Sequence, residues 1–187
     1  MARGLHVIAG EAKGVPLVAP KGARPTAGRV REALFSSLGD LSDVSVLDLY
    51  AGSGALGIEA LSRGAGGAVL VDDDRAAIDA IDANLTATRL RDRARIGKAS
   101  VSTFLRGRVP SEAPFDLVFA DPPYDADEDV IIDALAALAA PGWLAEGARV
   151  VVERAARDPF SPPGSPWSVG WERRYGDTLV VVLRASG

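Results

Sequence analysis

The spacing of apolar residues changes along this chain, and the changes divide it. From residue 44 onward, short apolar runs alternate with helical stripes. VSVLDL reads as a buried strand, SGALGIEALSRG as the helix after it, AVLVD as a second strand, and RAAIDAIDANL as a helix with Ile78, Ile81 and Leu85 on one face. Strands separated by helices are joined by crossovers, so the alternation predicts an α/β fold with a parallel sheet. A short strand is expected at about residues 94–96, and FDLVFA at 115–120 is a further buried strand that stops at a proline pair. A helix over about residues 129–139, a strand in ARVVVERA, and strands in WSVGWERR and DTLVVVLR complete the series. Only Tyr175, Gly176 and Asp177 connect the last two, too few residues for a crossover, so these strands are expected to pair antiparallel.

The first forty residues follow another pattern. LHVIAGEAKGVPLVAP breaks its apolar pieces with Gly10, Gly14 and Pro16, which predicts small strands joined by turns, a hairpin appendage. After KGARP, Thr26 can cap a helix whose apolar positions Val30, Ala33, Leu34 and Leu38 recur at helical spacing, and Gly39 ends it. The expected organisation is therefore a β extension over residues 1–23 and a main domain over 24–187 that starts with a helix at about 26–39. Phe35, Trp143, Trp167 and Trp171 are assigned to packing, because no spaced aromatic platform with basic neighbours surrounds the tryptophans.

Composition narrows the chemistry. A chain of 187 residues, 48% of them apolar, can enclose one substantial core. It has no cysteine and a single histidine, His6, which rules out disulfides, thiolate metal sites, a cysteine nucleophile and a histidine cluster, so no metal is expected. With no bilayer-length apolar run and no signal-peptide pattern, a cytoplasmic protein without a membrane partner is expected. The formal charge is −4, yet residues 1–37 hold six basic residues against two acidic ones, a local +4 that leaves −8 on the rest. A second basic run comprises Arg89, Arg91, Arg93, Arg95, Lys98, Arg106 and Arg108, opposed only by Asp92. Two positive fields on an acidic protein suit capture of a nucleic acid; solvated surface faces would carry the same charges.

The candidate chemistry lies at strand ends. In VLDLYAGSGALGIEALSRGA, Asp48 precedes Gly52 and Gly54, which let the backbone turn and approach a ligand, and Gly57, which lets the helix pack against the sheet. Asp72 ends the next strand, where its carboxylate can accept both ribose hydroxyls of an adenosine ligand; a dinucleotide would be read in the same way. Asp74 is placed as the N-cap of the helix that follows. FDLVFADPPY decides between the two ligands. An exocyclic amine on a purine is a poor nucleophile, so acceptors must hold its hydrogens while its lone pair faces the methyl donor. Asp121 offers a carboxylate, Pro122 a backbone carbonyl, the proline pair limits the conformations of that arch, and Tyr124 offers a ring face to the base.

Together these segments resemble the bacterial RsmD-type family of 16S ribosomal RNA guanine-N2 methyltransferases. The resemblance runs through VIAGEAKG, RPTAGRVREALFSSL, LDLYAGSGALGIEALSRGA, LVDDD, FDLVFADPPY and RYGDT, nearly the whole chain. It implies a Rossmann-like seven-stranded S-adenosylmethionine-dependent methyltransferase fold with an antiparallel last strand and a small N-terminal β-hairpin extension. Its substrate would be a guanine N2 amine in 16S rRNA, met in a small-subunit assembly intermediate. Carried over by motif, Asp48, Tyr50, Gly52, Gly54, Asp72 and Ser100 surround the donor. Asp121, Pro122 and Tyr124 are catalytic, and Pro123, Arg24, Thr26, Arg29 and Arg31 contact the RNA. Ser100 stands where relatives often place Asp or Asn toward the adenine amine, and EAKGVPL is less basic than many of their openings. Arg24 and Arg31 are assigned to phosphate, with ion pairing of Arg24 or Arg29 to Glu32 or Asp48 as the structural alternative. An N6-adenine methyltransferase of DNA or RNA would use the same acceptor arch, and a noncatalytic RNA-binding assembly protein would share the fold.

Overall fold

The computed structural model describes residues 4–20, 28–123, 127–158 and 160–185. The elements in chain order are α1 (Gly28–Leu38), β1 (Ser45–Leu49), α2 (Ala55–Ser62), β2 (Gly67–Asp72), α3 (Arg75–Thr88), β3 (Ala94–Lys98), α4 (Val101–Arg106), β4 (Phe115–Ala120), α5 (Glu128–Leu138), β5 (Leu144–Ala155), β6 (Trp167–Tyr175) and β7 (Thr178–Ala185). One seven-stranded sheet runs in the order β3-β2-β1-β4-β5-β7-β6. The first five strands are mutually parallel, while β7 runs antiparallel between β5 and β6. The order reverses between β1 and β4, and open α/β sheets bind ligands at the carboxyl ends of the strands at such a switch point.

The apolar runs become strands because both faces of the sheet are covered. On one face α1, α2, α3 and the N-terminal extension pack over Val46, Leu70, Leu117 and Phe119, with Phe35 of α1 tilted against Phe119 at a centroid distance of 5.7 Å. On the other face α4 and α5 cover Leu47, Leu49, Val118 and Val150, and Phe104 meets Trp143 at 5.7 Å. Trp143 and Trp167 are buried, and Trp171 packs half-buried against the first core, so the tryptophans pack as expected. Gly39, at φ +73°, follows the last residue of α1. Asp74 caps α3 by accepting from the Ala76 N–H at 3.0 Å.

Two elements differ from the expectation. The six-residue helix α4 was not anticipated by its pattern: it is too short to show a repeating stripe, and Ser100 starts it by accepting from the Thr103 N–H. In the extension the hairpin is reduced to a single bridge between His6 and Pro16, flanked by the bonds Val7 N–H to Val15 O at 3.0 Å and Leu17 N–H to Leu5 O at 2.9 Å. Side chains of α2 use the other backbone groups. Glu59, fully buried, accepts from the Ile8 N–H at 2.7 Å and the Ala9 N–H at 3.0 Å. Ser62 Oγ accepts from the Ala12 N–H at 3.0 Å and donates to Ala9 O at 2.6 Å. A Cβ on Gly10 would stand 1.7 Å from Ser62 O, so only glycine permits this approach.

Candidate functional site

The strand register brings three carboxylates to one edge. Asp48 of β1 stands opposite Leu70 of β2 and Phe119 of β4. Side chains alternate faces along a strand, so Asp72, the last residue of β2 and paired with Lys98, and Asp121, directly after β4, lie two residues further on and continue the same face. Asp48 is 1% exposed, and its Oδ2 accepts from the Gly57 N–H at 2.8 Å. Burial pushes its carboxyl up to about 7, the Gly57 bond opposes the rise, and the fields of Asp121 and Asp72 add to it. A Cβ on Gly57 would lie 3.0 Å from Leu70 and 3.1 Å from the Asp48 carboxylate. The absent side chain therefore sets the close seating of α2.

The turn after β1 is built for backbone approach. Tyr50 takes φ +59° and Gly52 φ +56°, and Gly54 at φ +74° leads into α2. A Cβ on Gly54 would press on Leu70, Ile58 and Ile81, so this glycine faces the protein. At Gly52 a Cβ would find only Tyr50 O, at 3.9 Å, so this glycine faces open space. Asp72 holds the turn by accepting from the Gly52 N–H at 2.8 Å through Oδ2, and it accepts from the Asp74 N–H at 2.9 Å through Oδ1. Those bonds occupy two of about four lone-pair sites on a carboxylate, leaving acceptors for a diol. The open backbone at Gly52 beside this half-used carboxylate fits the ribose and methionine portions of S-adenosylmethionine.

The other expected residues fall into four groups. Asp121 is partly exposed, Pro122 buried and Pro123 exposed, directly after β4. Ser100 follows Ala99, whose N–H donates to Asp72 O at 3.1 Å, so it lies beside the same edge; its hydroxyl donates to Thr103 Oγ1 at 2.8 Å as part of the α4 cap. Arg29 is exposed on α1. Tyr124, Arg24 and Thr26 lie outside the described residues, as do Arg3 and Lys21 of the basic opening.

Arg31 requires a correction. Its assignment to phosphate fails because the side chain is 1% exposed, with Nη2 donating to His6 O at 2.9 Å. Its Nε and Nη1 are buried without a hydrogen-bond partner among the described residues. Burial lowers its pKa, partly offset by Glu59. Arg31 thus fastens the extension to α1. Three of the seven cations of the second basic run are ion-paired: Arg91 pairs with Asp82 at 2.9 Å, Arg95 with Glu112 at 3.0 Å, and Arg93 with Glu11.

Sequence reasoning passed over Glu59 and Asn84. Glu59 is the lone acid in the apolar helix α2, and Asn84 shares the buried face of α3 with Ile81 and Leu85. A polar residue inside an apolar stripe was the available signal. Among the described residues there is no group of three or more His, Asp or Glu arranged to hold a metal, and no helix is long and apolar enough to cross a membrane.

The strand order with an antiparallel β7, and an acid–glycine turn at the carboxyl edge, define a Rossmann-like methyltransferase fold. A family model described as "Conserved hypothetical protein 95" matches residues 5–184. The ribosomal RNA small subunit methyltransferase D of Escherichia coli (strain K12) is 37% identical over 175 residues, 92% of this chain and 85% of that protein. The solved E. coli protein yhhF superimposes with a TM-score of 0.86 at 34% identity, covering 97% of this chain and 98% of that one. A Thermus thermophilus structure gives a TM-score of 0.81 at 32% identity, covering 95% and 98%. The chain belongs to the family of these ribosomal RNA small subunit methyltransferase D proteins.

Proposed function

We propose that this protein uses S-adenosylmethionine to methylate the exocyclic N2 amine of a guanine in 16S rRNA. It works in the cytoplasm on a small-subunit assembly intermediate, with residues 24–187 as the methyltransferase unit and 1–23 as an appended extension. The observation that carries this reading is Asp72 at the end of β2, holding the Gly52 turn that follows β1, with Asp121 and Pro122 directly after β4 on the other side of β1. The E. coli relative's name, a small-subunit ribosomal RNA methyltransferase, supports the choice of substrate.

The bound donor supplies an electrophilic methyl on a sulfonium. The chain's own part is alignment. Asp72 accepts the ribose hydroxyls, and the backbone at Gly52 lies along the donor. Asp121 and the Pro122 carbonyl accept the amine hydrogens, which turns the nitrogen lone pair away from them and toward the methyl. Once methylated, the nitrogen is cationic and sheds a proton readily, so Asp121 need not be a strong base. The guanine must leave its stack to reach this edge, at less cost in a partly assembled particle than in a continuous helix.

The test is single-turnover transfer at saturating donor and RNA, with the product base mapped by mass spectrometry. Asp121→Asn replaces a two-oxygen acceptor by an amide that also donates, and the rate is expected to fall by roughly a hundredfold or more with donor affinity retained. A near-parent rate for the folded variant would remove Asp121 from the arch. Methyl on adenine N6 would retain the arch and overturn guanine as the target.

A further inference from the structure

Asn84 is 1% exposed on α3 and uses its whole amide. Its Oδ1 accepts from the Val18 N–H at 2.8 Å, and its Nδ2 donates to Val18 O and to Ser53 O, both at 2.8 Å. The two bonds to Val18 copy the exchange between facing residues of an antiparallel ladder. They matter because the Val18 side chain is 61% exposed, so burial does not hold this residue in place. Ser53 lies between the two glycines of the donor turn, and the adjacent Gly52 N–H is held by Asp72. One side chain thus joins the end of the N-terminal extension to the turn that faces the donor. In sequence, Val18 stands three positions before Lys21, where the basic segment KGARPTAGRVR begins.

We propose that Asn84 is a positioning residue that couples the two substrates: ordering of the donor turn through Ser53 O seats residues 17–18, and RNA held by the segment that follows orders the donor turn in return. This rests on the reading of the glycine turn as the donor site. A coupling of this kind is reciprocal, so each ligand must tighten the other by the same factor. Loss of one amide hydrogen at Ser53 O also leaves a buried carbonyl unpaired, which disturbs the turn and not only the extension.

The experiment measures S-adenosylhomocysteine binding by calorimetry with and without a 16S rRNA fragment, and RNA binding with and without saturating S-adenosylhomocysteine. The parent is expected to show mutual tightening of about fivefold or more. Asn84→Asp keeps the acceptor for the Val18 N–H but lacks the donors to Val18 O and Ser53 O, and Asn84→Ala lacks all three bonds. In both the tightening factor is expected to fall to about one, a change that lost stability alone does not produce. Amide exchange on the parent needs no variant, and S-adenosylhomocysteine is expected to slow exchange at Val18. An equal factor in the folded variants, or no slowing at Val18 and no tightening in the parent, overturns the coupling. If S-adenosylhomocysteine binds the parent but the factor is one, only the coupling fails. If it does not bind at all, the donor-site reading fails with it.

Discussion

Asp48 is a buried carboxyl at the edge proposed to hold the donor. In the unfolded chain its carboxyl titrates near the ordinary 3.8, and in the fold it is pushed up to about 7, first by burial and then by Asp121 and Asp72. Between those values the folded state holds a proton that the unfolded state has lost. The group's contribution to stability is therefore present below about 4 and is lost as pH rises through about 7. In the proposed donor complex, a positively charged sulfonium near Asp48 would favour the ionised carboxylate. S-adenosylmethionine affinity is then expected to rise as pH increases through that range and to release protons on binding. Asp48→Asn keeps an acceptor for the Gly57 N–H but cannot ionise; calorimetry across pH should find its donor affinity flat there, and a parental pH slope in this variant would exclude Asp48 as the origin. The placement of Asp48, Gly52 and Asp72 at one sheet edge was legible in the sequence because each lies in the last residues of a strand or in the turn that follows. Glu59 and Asn84 were not, because their partners in the extension lie 50 to 66 residues away along the chain. Arg31 was misread although geometry offered a warning: Leu34, Phe35 and Leu38 stand three, four and seven positions on, which puts Arg31 on the buried stripe of α1.

At the level of elements, the extension keeps a hairpin reduced to one bridge and is fastened to α2 by polar contacts and by the buried Val7, Ala12 and Leu17. Gly10 is the tightest point of that seam, with φ +83° and Ser62 O where a side chain would begin. Gly10→Ala forces the loop off α2 and is expected to cost more than about 2 kcal/mol, read as a fall in melting temperature of roughly 4–8 °C for a chain of this size. An unchanged melting temperature would mean that the extension contributes little to the fold. The inner parallel strands β1, β2 and β4 were readable because both of their faces are buried, which makes the runs nearly continuously apolar. The helix α4 has only Val101 and Leu105 buried, one turn's worth of signal, and no period can be read from two positions.

Across the whole molecule, the charge pattern of the chain is not the charge pattern of the surface. Arg91, Arg93 and Arg95 are matched by carboxylates, and Arg31 is inside. Arg29 is exposed, so it is the described arginine of the RPTAGRVR segment available to a phosphate. Arg29→Ala is expected to weaken RNA binding about evenly across sequences and to reduce the salt slope by about one, with melting unchanged. Arg31→Met should do the reverse, altering stability and leaving the slope alone. Salt titrations paired with thermal melts separate the two, and a slope change in the Arg31 variant alone would reverse the assignment.

An open sheet leaves two margins unpaired, and at β6 the margin bears on how the molecule behaves in a crowded solution. The strand breaks register with β7 between Val169 and Trp171, and Gly170 there rests against the Arg184 side chain. Beyond the break, Glu172, Arg173 and Arg174 are exposed in succession. A strand from another molecule that tried to extend the sheet would meet a kinked ladder and would have to desolvate three charges in a row. The outer strand is therefore a poor template for polymerisation, and replacing Arg173 and Arg174 with valine would turn WERRY into a β-prone run beside a tryptophan and convert a blunt margin into an adhesive one.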